Sequence, residues 1–140
     1  MSIRLIALWL SIALMPGGAH ACSIAVQITL EFSERSVELD RSQIIRLANW
    51  LDKVKGWYEY ESIYVEGSAS TESIDGKRIA MQRAEATRRA LQSLYERKPI
   101  QLKAYAYPPS LQSEPHAAVV QLIPSNPPKC DTTPIPGFKH

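Results

Sequence analysis

Apolar and polar residues alternate from Ala25 to Phe32, with Val26, Ile28, Leu30 and Phe32 on one side and Gln27, Thr29 and Glu31 on the other. A period of two is the mark of a strand with one buried face. The period then changes. Ile44, Leu47, Ala48, Leu51 and Val54 recur at helical spacing behind Asp40, which stands three residues before Gln43 in a capping-box arrangement. This predicts a helix over residues 41–54 that stops near Gly56.

Ile63 and Val65, flanked by Tyr60, Tyr64 and Glu66, predict a second strand ending at Gly67, followed by a loop of nine small or polar residues. A long second helix follows with Asp75 as its cap. Ile79, Arg83, Ala84, Thr87, Leu91 and Leu94 share its inner face, while Lys77, Arg78, Arg88 and Arg89 mostly face water. Pro99 stops it. Ile100, Leu102, Ala104 and Ala106 predict a third strand, Pro108 and Pro109 a loop, and Ala118 to Ile123 a fourth strand. The order β-α-β-α-β-β places the chain in the α+β class, as a two-layer sandwich with two helices on one face of a mixed four-stranded sheet.

The segment before the first strand changes the picture. Arg4, an apolar run from Leu5 to Met15, a break at Pro16-Gly17-Gly18 and the ending Ala19-His20-Ala21 form the three parts of a cleavable export signal. About eleven apolar residues are too few for a spanning helix, which needs roughly twenty. The expected organisation is a signal over residues 1–21, one domain over 22–124, and a Pro-rich tail over 125–140. Five prolines fall in the seventeen residues from Pro124 onward, which reads as extended chain. The expected location is the periplasm, with outer-membrane association left open.

Two cysteines follow the signal, Cys22 and Cys130. In an oxidising compartment they predict a disulfide that ties the tail back, contributing about 4 to 5 kcal/mol on the chain-entropy model. The alternative is lipidation of Cys22, the one route by which this chain would hold a membrane; Ala19 and His20 stand where a lipobox usually has Leu and a small residue. Sixteen Lys and Arg against fourteen acids leave the chain close to neutral, which argues against a nucleic-acid partner. The two cysteines and scattered histidines predict no metal site and no cofactor.

Catalytic readings find little to build on. The chain has no His-Glu-x-x-His word, no Gly-x-Ser-x-Gly elbow and no phosphate-cradling glycine loop. A Ser70–His116 pair lacks an oxyanion-hole word beside it. The expectation is a protein that is not an enzyme. Trp50, Trp57, Tyr58, Tyr60 and Tyr64 cluster around the first helix and second strand, as core and strand-face packing or as an aromatic patch for a sugar or a partner.

Four segments carry a resemblance. They are Phe32 to Leu39 after the first strand, Ser68-Ala69-Ser70 after Gly67, Ile79-Ala80-Met81-Gln82-Arg83-Ala84 in the second helix, and Ala104-Tyr105-Ala106-Tyr107-Pro108 at the end of the third strand. In this order they resemble the OmpA C-terminal-like family, the periplasmic domains that hold outer-membrane proteins and the peptidoglycan-associated lipoprotein to the cell wall. The resemblance covers about residues 26–123.

It implies a site in which an aspartate and the arginine of the Arg-Ala pair clamp the diaminopimelate of a peptidoglycan stem. A carboxylate takes the ammonium and a guanidinium forks onto the carboxylate. Arg83 stands at the arginine position. The aspartate position falls on Ser70, whose hydroxyl cannot neutralise an ammonium, so Glu72 and Asp75 are the candidate substitutes. Gly76 replaces an expected asparagine, and His116, Ala117 and Ala118 stand where basic residues are usual. For Arg83 a local packing role, for Glu72 a solvated carboxylate and for Asp75 a helix cap stand beside these roles. The implied function is a non-enzymatic envelope protein that binds peptidoglycan weakly or has turned to an envelope protein. The rival is a periplasmic inhibitor of immunity type, with the fold as scaffold.

Overall fold

The computed structural model describes residues 24–95, 98–109 and 115–127. The expected export signal, the expected bridge between Cys22 and Cys130, and the tail beyond Pro127 lie outside them.

The elements are β1 (Val26–Glu31), α1 (Arg41–Val54), β2 (Tyr60–Ser70), α2 (Gly76–Leu94), β3 (Ile100–Tyr107) and β4 (Ala117–Pro124). The strands form one mixed sheet in the order β1-β4-β2-β3. β4 lies antiparallel to both β1 and β2, whereas β2 and β3 run parallel. Parallel neighbours need a crossover, and α2 supplies it. Both helices cover the same face, as the element order predicts.

The core lies between helices and sheet. Leu30, Ile63, Val65, Val120 and Leu122 rise from the strands to meet Leu47, Leu51 and Val54 of α1 and Ala84 and Leu91 of α2. Ile63, Leu47, Leu91 and Leu122 are completely enclosed. Burying one such side chain contributes about 1.5 to 3 kcal/mol. α2 comes close enough to the sheet to demand glycine: a Cβ at Gly67 would stand 1.9 Å from the Ala80 carbonyl oxygen and 2.8 Å from the Ala84 nitrogen.

Three local expectations are corrected. β2 does not end at Gly67; Ser68, Ala69 and Ser70 continue it, paired with Tyr105, Ala106 and Tyr107 of β3. Their small size belongs to a strand end lying under a closely packed helix, not to a loop. Asp75 precedes α2 without capping it, for it adopts the left-handed conformation, φ 59°, and its side chain makes no cap hydrogen bond. Leu94, expected on the inner face of α2, is exposed at the helix end. The capping box of α1 is half made: Asp40 accepts from the Gln43 amide, 3.1 Å, but the Gln43 side chain turns to accept from the Glu31 amide on the edge of β1. The Ser42 hydroxyl and the Gln43 backbone amide, in that order, hold the Asp40 carboxyl below its usual pKa.

Two phenols fasten the sheet. Tyr60 is buried, stacks edge to face on Tyr58, and donates to the Val54 carbonyl at 2.6 Å, joining the start of β2 to the end of α1. Tyr107 donates to the Glu66 carboxylate at 2.7 Å on the uncovered face. Desolvation pushes Tyr60 up to about 12. The bond to Glu66, with burial second, pushes Tyr107 up to about 12 as well.

A raised acid pKa means that folding favours the protonated form. The stabilisation is therefore complete below the ordinary value of 10.0 and is lost as pH rises through about 12. Spectrophotometric titration should find two of the six tyrosines resisting ionisation until pH passes about 12, and urea should release them. Ionisation of all six by pH 11 in the folded protein would contradict the burial of Tyr60 and the bond from Tyr107 to Glu66.

Candidate functional site

The site implied by the resemblance lies at one end of the sheet, where β1 and β2 finish, β4 begins and α2 starts. α2 crosses β2 at Gly67 with its own backbone in contact, so Arg83, between Ala80 and Ala84, cannot escape to solvent. It is 0 % exposed. Burial lowers the guanidinium pKa from its ordinary value.

A guanidinium offers five N–H groups in a planar fork, and here each faces an acceptor. Nε donates to the Ser36 carbonyl at 2.9 Å. Nη1 donates to the Ser68 carbonyl at 2.9 Å and, more weakly at 3.4 Å, to the Pro115 carbonyl and to His116 Nδ1. The last contact requires that ring nitrogen to be unprotonated. Nη2 donates to the Glu34 carbonyl at 2.9 Å and the Ser33 carbonyl at 3.4 Å. Its Cζ lies 5.5 Å from the centre of the Phe32 ring, within cation–π range. Arg83 thus joins three separate segments: residues 33–36 after β1, Ser68 in β2, and Pro115-His116 before β4. Among the described residues no carboxylate touches it.

The other candidates do not converge on it. Ser70 is buried, and its Oγ accepts from the Glu72 amide at 3.1 Å, while its carbonyl accepts from the Ser73 amide at 3.2 Å. These bonds turn the chain tightly after β2. Glu72 is exposed and makes no ion pair among the described residues. Asp75 is exposed and pairs with Arg78 at 3.2 Å, a contact contributing about 0 to 1 kcal/mol. Gly76 is explained by space, since a Cβ there would stand 2.5 Å from the Ser70 carbonyl oxygen. An asparagine would not fit.

The sequence assigns Ser68 no role of its own, although it is central. Its carbonyl holds Arg83, and its hydroxyl donates to the Ala117 carbonyl at 3.0 Å. His116 bonds towards Arg83 and not towards Ser70, so the imagined nucleophile pair is not made. Among the described residues no group of three or more His, Cys, Asp and Glu is placed to hold a metal ion, and no helix is long and apolar enough to cross a membrane.

The aromatic cluster is dispersed. Trp50 lies on α1, Trp57 is exposed beyond it, Tyr58 and Tyr60 pack together, and Tyr64 lies on the uncovered sheet face with Lys103 Nζ 5.1 Å from its ring centre.

No protein-family model matches the chain. No curated protein sequence matches it either. Solved structures do. The OmpA-like domain of FopA1 from Francisella tularensis is 14% identical with a TM-score of 0.52, over 71% of this chain and 73% of that one. The periplasmic domain of Helicobacter pylori MotB is 10% identical with a TM-score of 0.56, over 73% and 84%. The cell wall anchor of the T6SS from Pseudomonas aeruginosa is 14% identical with a TM-score of 0.50, over 71% and 81%. With two helices on one face of a β1-β4-β2-β3 sheet, the chain has the fold of the OmpA-like periplasmic domains.

Proposed function

We propose that this protein is a non-catalytic binding module of the bacterial envelope, exported to the periplasm, which recognises a protein partner and has given up the peptidoglycan stem. The observation that carries the reading is the state of Arg83. A guanidinium that clamps a ligand carboxylate keeps two parallel N–H groups free for it, whereas all five of these face acceptors within the protein. Taking them back would break bonds to a charged group, at about 1.5 to 3 kcal/mol each. Ser70 adds to this, because among the described residues no carboxylate stands opposite to receive the ligand's ammonium. The fold, the export signal and the lack of a catalytic word support an envelope module. The buried arginine supports a changed ligand.

Sedimentation with purified, protease-treated sacculi tests this. Protein recovered from the osmotic-shock fluid of its host should stay in the supernatant. Ser70→Asp should stay there too, because the guanidinium remains engaged. Sedimentation of the parent above background, strengthened by Ser70→Asp, would show that the wall site survives.

A further inference from the structure

α1 buries one stripe, Leu47, Leu51 and Val54, and leaves a second one open. Ile45, Arg46, Asn49, Trp50 and Lys53 recur along it at steps of three and four residues, and with Ile28 of β1 they line a groove of about 470 Å³. Ile45 is 50% exposed there. The apolar floor is flanked by two cations, Arg46 and Lys53, and among the described residues no carboxylate lines it. Arg46 donates to the Thr29 carbonyl at 2.9 Å, and Lys53 makes no ion pair among the described residues.

Among the described residues β1 pairs only with β4, so its other edge is the one beside this groove. That edge is already guarded: Gln43 holds the Glu31 amide and Arg46 the Thr29 carbonyl. A long added strand is therefore blocked, and what the surface offers is a side-chain pocket.

We propose that this groove docks a short acidic segment of a protein partner, with one apolar side chain seated between Ile45 and Trp50 and carboxylates against Arg46 and Lys53. Charge complementarity selects the occupant. A second copy docked about a two-fold axis would bring the same two cations face to face, because such an interface is self-complementary. An anionic lipid surface would meet the same two cations, and vesicle binding separates it from a peptide. The inference rests on the reading of the chain as a protein-binding module and names the chemistry of its partner.

The test is selection from a displayed library of twelve-residue peptides against the full chain. Enriched peptides should carry acidic residues on both sides of one large apolar residue. Ile45→Asp and Lys53→Glu should each weaken a selected peptide about tenfold or more, and raising the salt should weaken it further. Exchanging for lysine only the peptide acid that meets Lys53 should restore binding to Lys53→Glu and to no other variant. Ile45 is half exposed, so its variant should keep the parental urea midpoint, which confirms that lost binding is not lost folding. Enrichment of basic or purely apolar peptides would overturn the proposal. So would binding indifferent to Ile45→Asp, self-association that Ile45→Asp abolishes, or selective binding to anionic phospholipid vesicles. Sacculi binding is read separately through the Arg83 site, so failure of the broader functional reading and failure of the groove give different results.

Discussion

Arg83→Met should lower the free energy of unfolding by about 3 kcal/mol, read from the urea midpoint at unchanged slope. Methionine keeps much of the apolar stem and removes the fork, so the loss isolates the hydrogen bonds. The three bonds at 2.9 Å, to Ser36, Ser68 and Glu34, are the strong ones. Each hydrogen bond to a charged group contributes about 1.5 to 3 kcal/mol. Removing the buried charge recovers several kcal/mol of desolvation cost, which is why the net is well below the gross sum. Arg83→Lys should rescue little, because an ammonium is a point donor and cannot reach three segments arranged around a plane. A variant with parental stability would mean that the carbonyls find water and that the guanidinium is free for a ligand, reversing the functional reading.

Most of the architecture is legible in the hydrophobic periods, because each element presents one apolar face at its own spacing. The alternation of Val26, Ile28 and Leu30 and the spacing of Leu47, Leu51 and Val54 place the same residues in the core that the structure buries. The end of β2 is not legible, because Ser68-Ala69-Ser70 has the composition of a loop. Only the approach of α2 and the pairing with Tyr105, Ala106 and Tyr107 make small residues the right ones for a strand there.

The candidate site divides in the same way. That Arg83 faces inward follows from its place between Ile79 and Leu91 on the inner stripe of α2. What it meets there does not follow, since five of its six partners are main-chain carbonyls, and a carbonyl leaves no mark in the side-chain sequence. Glu72 and Asp75 are near Arg83 in sequence, but the turn after β2 leaves both exposed and Asp75 bound to Arg78.

Gly67→Ala should have the other large effect, and it tests the close seating of α2 on which the site depends. The added Cβ would lie 1.9 Å from the Ala80 carbonyl oxygen and 2.8 Å from the Ala84 nitrogen. Both are backbone atoms of a helix that also packs on β3 and β4, so no side-chain rotation relieves the clash. Overpacking a core by a methyl usually costs about 1 to 3 kcal/mol. Here the helix must move bodily, which pulls Arg83 away from the Ser68 carbonyl and opens the pocket, so a loss of about 4 kcal/mol or more is expected. Gly56→Ala is the control: nothing lies within 4 Å of its added Cβ. It should be neutral, or raise stability by about 0.4 to 1 kcal/mol through a less flexible unfolded chain. Heat or urea unfolding of the two variants beside the parent measures both. Equal stabilities would show that α2 does not rest on β2 at Gly67, and the enclosure of Arg83 would fall with it.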